Sequence, residues 1–158
     1  MAEYGIVMVV EGIKGNCALK GYEGGILAEA VNFGSSSTRT GYGIKDRRIS
    51  VDQSPVSLTI AAGSWVAELQ QACYISKNLK KIVISQLAQA VDKKATAEPT
   101  VVQKLTLENP VVTHIEQSWD SGDSPRVVSM GLMFEKILFE VDKKPADFTL
   151  KNFTAGAV

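Results

Sequence analysis

His114 is the only histidine in a chain of 158 residues, and it sits in the strand-like stretch Val111-Val112-Thr113-His114-Ile115. Imidazole catalysis needs a partner positioned to exchange a proton, and no Gly-x-Ser-x-Gly elbow occurs to supply a nucleophile. His114 therefore reads as a surface or interface side chain. Glu116, Asp120 and Asp123 lie close together, but their spacing is not that of a calcium-binding loop, and a solvated turn is the expectation. Gly41-Tyr42-Gly43 is too short for a dinucleotide or phosphate loop, and basic residues follow it where a helix would be needed. Cys17 and Cys73 form no Cys-x-x-Cys pair, so neither a zinc site nor a dithiol redox motif is supported. Cys73 falls on the apolar face of a predicted helix and reads as a buried thiol, whereas Cys17, in a predicted loop, reads as a surface thiol. A bridge between them would require an oxidising compartment and close Cα atoms. No catalytic residue, metal ligand or cofactor site is expected.

Other residue types point to contacts rather than chemistry. Trp119, beside Asp120 in a polar turn, is hard to bury in a monomer and suits an interface, while Trp65 heads a helix and suits a core. Lys77, Lys80 and Lys81 lack interleaved aromatics and read as a solvated face. Seventeen basic residues balance seventeen acidic ones, which argues against nucleic acid as a partner. The run Ile6–Val10 is too short for a signal-peptide core or a membrane span, and the N-terminus is acidic. The expectation is a protein made soluble in the cytoplasm, not inserted in a membrane, that leaves the cell, if it does, without a cleaved signal.

The elements that would carry these residues are mostly strands. Tyr4–Glu11 and Ile26–Phe33 are β-rich, and Gly12-Ile13-Lys14-Gly15 breaks the chain between them. In the second strand, strict alternation places Leu27, Val31 and Phe33 on one face and Ile26, Ala28, Ala30 and Asn32 on the other. Gly34–Arg48 is polar and reads as one long extended loop. Ile49–Val51 begins a short strand, and Pro55–Ala61 alternates as a half-buried one. Trp65, Leu69, Ala72 and Cys73 recur at helical spacing, with Ser64 as N-cap and Lys77-Asn78 as the stop. Leu79–Val91, Val101–Glu108, Val111–Gln117, Arg126–Val141 and Phe148–Phe153 complete the strands, with turns at Asp92–Pro99, Asp120–Ser124 and Asp142–Asp147. A length of 158 residues with no Pro/Ser-rich linker predicts a single domain over 1–158. Many strands and one helix predict a mostly-β fold, a small barrel or sandwich with one flanking α-helix.

The order of these parts resembles the haemolysin-coregulated protein (Hcp) family of bacterial type VI secretion systems along nearly the whole chain. The family's apolar strand and G-[IV]-x-G turn correspond to Val9-Val10-Glu11-Gly12-Ile13-Lys14-Gly15. Its strand ending in W-S-W-G corresponds to Ala30-Val31-Asn32-Phe33-Gly34, without either tryptophan. The long Gly/Ser loop, a strand and a short helix containing Ala-Cys follow as Gly34–Arg48, Val56–Ile60 and Ser64–Cys73. The late strand–loop–strand unit runs from Val101 to Val141 and includes Met133-Phe134-Glu135-Lys136-Ile137.

The resemblance implies a structural tube subunit, not an enzyme. Copies would form homo-hexameric rings that stack into a tube, driven by a contractile sheath, tipped by a spike protein and carrying effectors in its lumen. The alternatives are a β-barrel binding module and a phage tail-tube-like protein. Two expectations attach to residues. Asn32 faces the lumen, as the polar residue of its strand face. Ring-to-ring contact is electrostatic, with Arg39, Lys45, Arg47 and Arg48 meeting Glu116, Asp120 and Asp123 of the next ring around a Trp119 anchor.

Overall fold

The computed structural model describes residues 3–15, 17, 22–40, 48–89, 100–119, 121 and 127–149. Strand β1 (Glu3–Val10) is followed by β2 (Ile26–Asn32), then a hairpin of β3 (Ser35–Thr40) and β4 (Arg48–Gln53), then β5 (Val56–Ala61). The helix α1 (Trp65–Tyr74) comes next, and the chain continues as β6 (Lys81–Gln89), β7 (Thr100–Glu108), β8 (Val111–Gln117), β9 (Val127–Met133), β10 (Lys136–Val141) and β11 (Lys144–Thr149). Nine strands form one antiparallel sheet in the order β11-β10-β7-β6-β1-β2-β5-β9-β8, and β3 and β4 form a separate ribbon. Among the described residues the fold is mostly β with one helix, as the sequence predicts, but the sheet is open rather than closed into a barrel.

One face of the sheet wraps the core. Cross-strand rows on that face read Val10–Ile82–Leu107–Ile137, then Met8–Ile84–Leu105–Phe139, then Ile6–Gln86–Gln103–Val141. Val56, Leu58 and Ile60 of β5, and Val128, Met130 and Leu132 of β9, enter the same cluster. Trp65, Val66, Leu69 and Ala72 of α1 complete it, at the helical spacing that the sequence shows. Ser64 holds the N-cap position without a side-chain cap bond; the Trp65 indole instead donates to the Ala61 carbonyl at 2.9 Å.

A corner behind α1 fixes how the chain leaves the helix and moves from β7 to β8. Leu79 N–H donates to the Pro110 carbonyl at 3.0 Å, and Asn109 N–H donates to the Lys80 carbonyl at 2.9 Å. Asn109 holds a left-handed backbone, with φ of 52°, and its side chain accepts from Asn78 and donates to Glu135. Asparagine tolerates that conformation better than most residues and can spend its amide on local partners.

The turn after β1 explains its glycines. Gly12 has φ of +87°, and Ile13 is bridged back to Val10 and buried. A Cβ on Gly15 would strike the Gly25 carbonyl, so the two loop strands could not approach.

Four expectations change. Gly34–Arg48 is not a loop throughout, because Ser35–Thr40 is strand, paired to β4 with Thr40 opposite Arg48. The strand expected over Arg126–Val141 breaks into β9 and β10 at Phe134-Glu135, where Phe134 is fully buried at the corner. The last turn is only Asp142-Lys143, both with positive φ, so β11 starts at Lys144 rather than Phe148; residues 150–153 lie outside the described residues. Finally, a β-bulge between Ala28 and Ala30 switches the faces of β2. Ala28 and Val31 both pack against the core, while Leu27, Ala30 and Asn32 are exposed on the other side.

Candidate functional site

Among the described residues, no group of three His, Cys, Asp or Glu side chains is placed to hold a metal ion. His114 Nε2 lies 3.6 Å from Glu116 Oε2 on the edge strand β8, with the two side chains 60% and 73% exposed. An ion pair so wet contributes little. Cys17, expected at the surface, is buried: its N–H donates to the Gly25 carbonyl at 2.9 Å, and its carbonyl accepts from Gly24 N–H at 3.0 Å. These bonds fold the loop back over β1, where Cys17 packs with Val7 and Leu87. Cys73 is half-buried against the main core, and both thiols are free.

The surfaces are more informative than any cleft of titratable groups. On the outer face of β2, β5, β9 and β8, two adjacent rows run Asn32–Ser57–Gly131–His114 and Ala30–Thr59–Ser129–Glu116. Side chains in these rows are short and uncharged until the edge strand is reached. Asn32 is exposed on this wall, not in the core, and the bulge removes its expected neighbour Ala28.

The outer face of β1 and its neighbours differs. Val9 is 38% exposed and stands opposite the half-buried Val83, and Leu27, also 38% exposed, stands opposite Val7. Along β6, β7 and β10 the flanking row is charged, Lys81–Glu108–Lys136. An apolar strip rimmed by charge has the composition of a protein contact.

Trp119, just past β8, is 90% exposed, and the strand end is tied to α1 by Gln117 Nε2 donating to Gln70 Oε1 at 3.3 Å. Arg39 lies in β3 and Arg48 opens β4, opposite Ile49 and Thr40 respectively. Lys45, Arg47, Asp120 and Asp123 lie outside the described residues. No helix among the described residues is long and apolar enough to cross a membrane.

A family model described as "Type VI secretion system effector, Hcp" matches residues 7–141. Solved structures are similar at low identity. Hcp1 from E. coli EAEC 042, as a double-tryptophan variant, is 17% identical with a TM-score of 0.72, covering 94% of this chain and 99% of that one. Hcp1 from Salmonella typhimurium is 14% identical with a TM-score of 0.70, covering 94% and 95%. Secreted Hcp3 from Pseudomonas aeruginosa is 11% identical with a TM-score of 0.64, covering 96% and 100%. No curated protein matches the sequence significantly.

Proposed function

Since the chain belongs to the Hcp family of the type VI secretion system, we propose that it is a tube subunit of that system, that its copies close into six-membered rings and that the rings stack. The observation that carries this reading is the division of the outer sheet face into two walls of different chemistry. A ring needs two complementary patches on each copy, because a heterologous contact closes only when its rotation closes. The apolar strip of Val9, Leu27 and Val83, with its charged rim, is one such patch. The other wall lines the lumen with Asn32 upon it, since short uncharged side chains leave the bore open and hold passing protein weakly.

Stacking runs through the β3–β4 ribbon. Arg39, Lys45, Arg47 and Arg48 meet Asp120 and Asp123 of the next ring, and Trp119 supplies the apolar anchor. Each exposed pair contributes at most about 1 kcal/mol and is screened by salt, but a ring multiplies the contacts. The sheath, the spike-tip protein and lumenal effectors are the further partners, and the tube is exported through the apparatus.

Negative-stain imaging of the purified chain tests the reading: ring particles with an open centre support it, and compact monomers contradict it. Reversing Arg47→Glu and Arg48→Glu together tests the stacking part separately. Rings that no longer stack are the expected result; tubes of unchanged length and salt response would overturn it.

A further inference from the structure

We propose that the mouth of the fold, at the end of the sheet away from the Asn109 corner, binds a small uncharged amide carrying an aromatic or branched aliphatic body. A cleft of 230 Å³ opens there, walled by Ile6, Val31, Phe33 and Phe139 and floored by Gln86 and Gln103. The cleft is lined by residues of one chain.

The polar floor is specific in its chemistry. The first two core rows are wholly apolar, but the third replaces its central pair by Gln86 and Gln103. Amides on a core face are unfavourable unless they are hydrogen-bonded, and these two bond to each other, Gln103 Nε2 donating to Gln86 Oε1 at 2.9 Å. That bond uses one N–H of Gln103 and one lone pair of Gln86. Gln103 retains its carbonyl oxygen and Gln86 retains its NH₂ group. The pair thus leaves an acceptor on Gln103 and a donor on Gln86, the kinds of group that the N–H and C=O of an incoming amide need.

The surroundings select against charge. Lys104 borders the cleft, yet the pleat directs its side chain to the opposite face, where it stands across from Glu140. Among the described residues lining the cleft, no ionised group is thereby offered to a bound carboxylate or ammonium, which would lose water without a counter-charge. The Phe33 and Phe139 rings, edge to face with centroids 5.0 Å apart, offer an aromatic wall to the ligand's body. The volume suits a molecule of roughly ten heavy atoms, for which ligand efficiency predicts affinity of roughly millimolar order.

The test is ligand-observed saturation-transfer NMR on the full chain with benzamide, benzoate and benzylamine as probes. Saturable binding of benzamide, with both charged analogues at least about tenfold weaker, is the expected result. Gln86→Leu together with Gln103→Leu removes both amides of the floor, and should abolish the preference for benzamide. No saturable signal from benzamide, or benzoate binding as well, would overturn the proposal on the unaltered chain alone. A folded Gln86→Leu, Gln103→Leu chain that keeps the full preference would overturn it equally.

Discussion

Phe33 meets Phe139 edge to face, with ring centroids 5.0 Å apart and planes at 63°, and the contact joins the end of β2 to β10 across the mouth of the fold. These strands are far apart in sheet order, with β1, β6 and β7 between them. The sheet is not closed by hydrogen bonds there, so side chains must hold its curvature. Aromatic pairs of this geometry contribute about 0.5–1.5 kcal/mol beyond area burial. A double-mutant cycle of Phe33→Ala and Phe139→Ala in urea unfolding should therefore return a coupling of about 1 kcal/mol. Phe139→Ala should cost more than Phe33→Ala, because Phe33 is 39% exposed and Phe139 packs against the core. Strict additivity would show that the rings do not hold the mouth.

Asn109 should be the most sensitive polar position in the fold. Its left-handed backbone and its bonds to Asn78 and Glu135 are lost or strained together in Asn109→Ala, for a loss of about 2–3 kcal/mol. Asn109→Gly relieves the backbone and removes only the side-chain bonds, so its loss should lie between wild type and alanine. Equal losses for both variants would mean that the backbone conformation carries no cost.

How much of this was legible in the sequence depends on which force sets each element. The stripe Trp65, Leu69, Ala72 and the alternation Val56, Leu58, Ile60 are written in hydropathy, because burial alone decides them. Ser35–Thr40 carries no such pattern; it is a strand because β4 pairs with it, and that partner is invisible locally. The face of Asn32 is reversed relative to Ala28 by one bulged residue, and a period of two carries no sign of it. Phe134 sits inside a continuous apolar run, so the corner between β9 and β10 leaves no polar mark. The Gln86–Gln103 pair was missed because each glutamine reads as a solvated residue until the register sets them side by side.

Assembly and stability should separate cleanly at the exposed apolar residues. Trp119 is 90% exposed, so Trp119→Ala should change the unfolding free energy of the single chain by less than about 0.5 kcal/mol. The same change should shorten or abolish stacks. Val9→Glu places a charge on the apolar strip and should leave the fold intact while preventing ring closure, measured by circular dichroism alongside sedimentation. Rings in Val9→Glu as abundant as in wild type would remove that strip from the ring contact.

The central claim is that this chain is built to close on copies of itself. Light scattering coupled to size-exclusion chromatography, over a range of concentrations and at moderate salt, measures this most directly. The account predicts a species of six chain masses that persists on dilution. A mass of one chain at every concentration would contradict it.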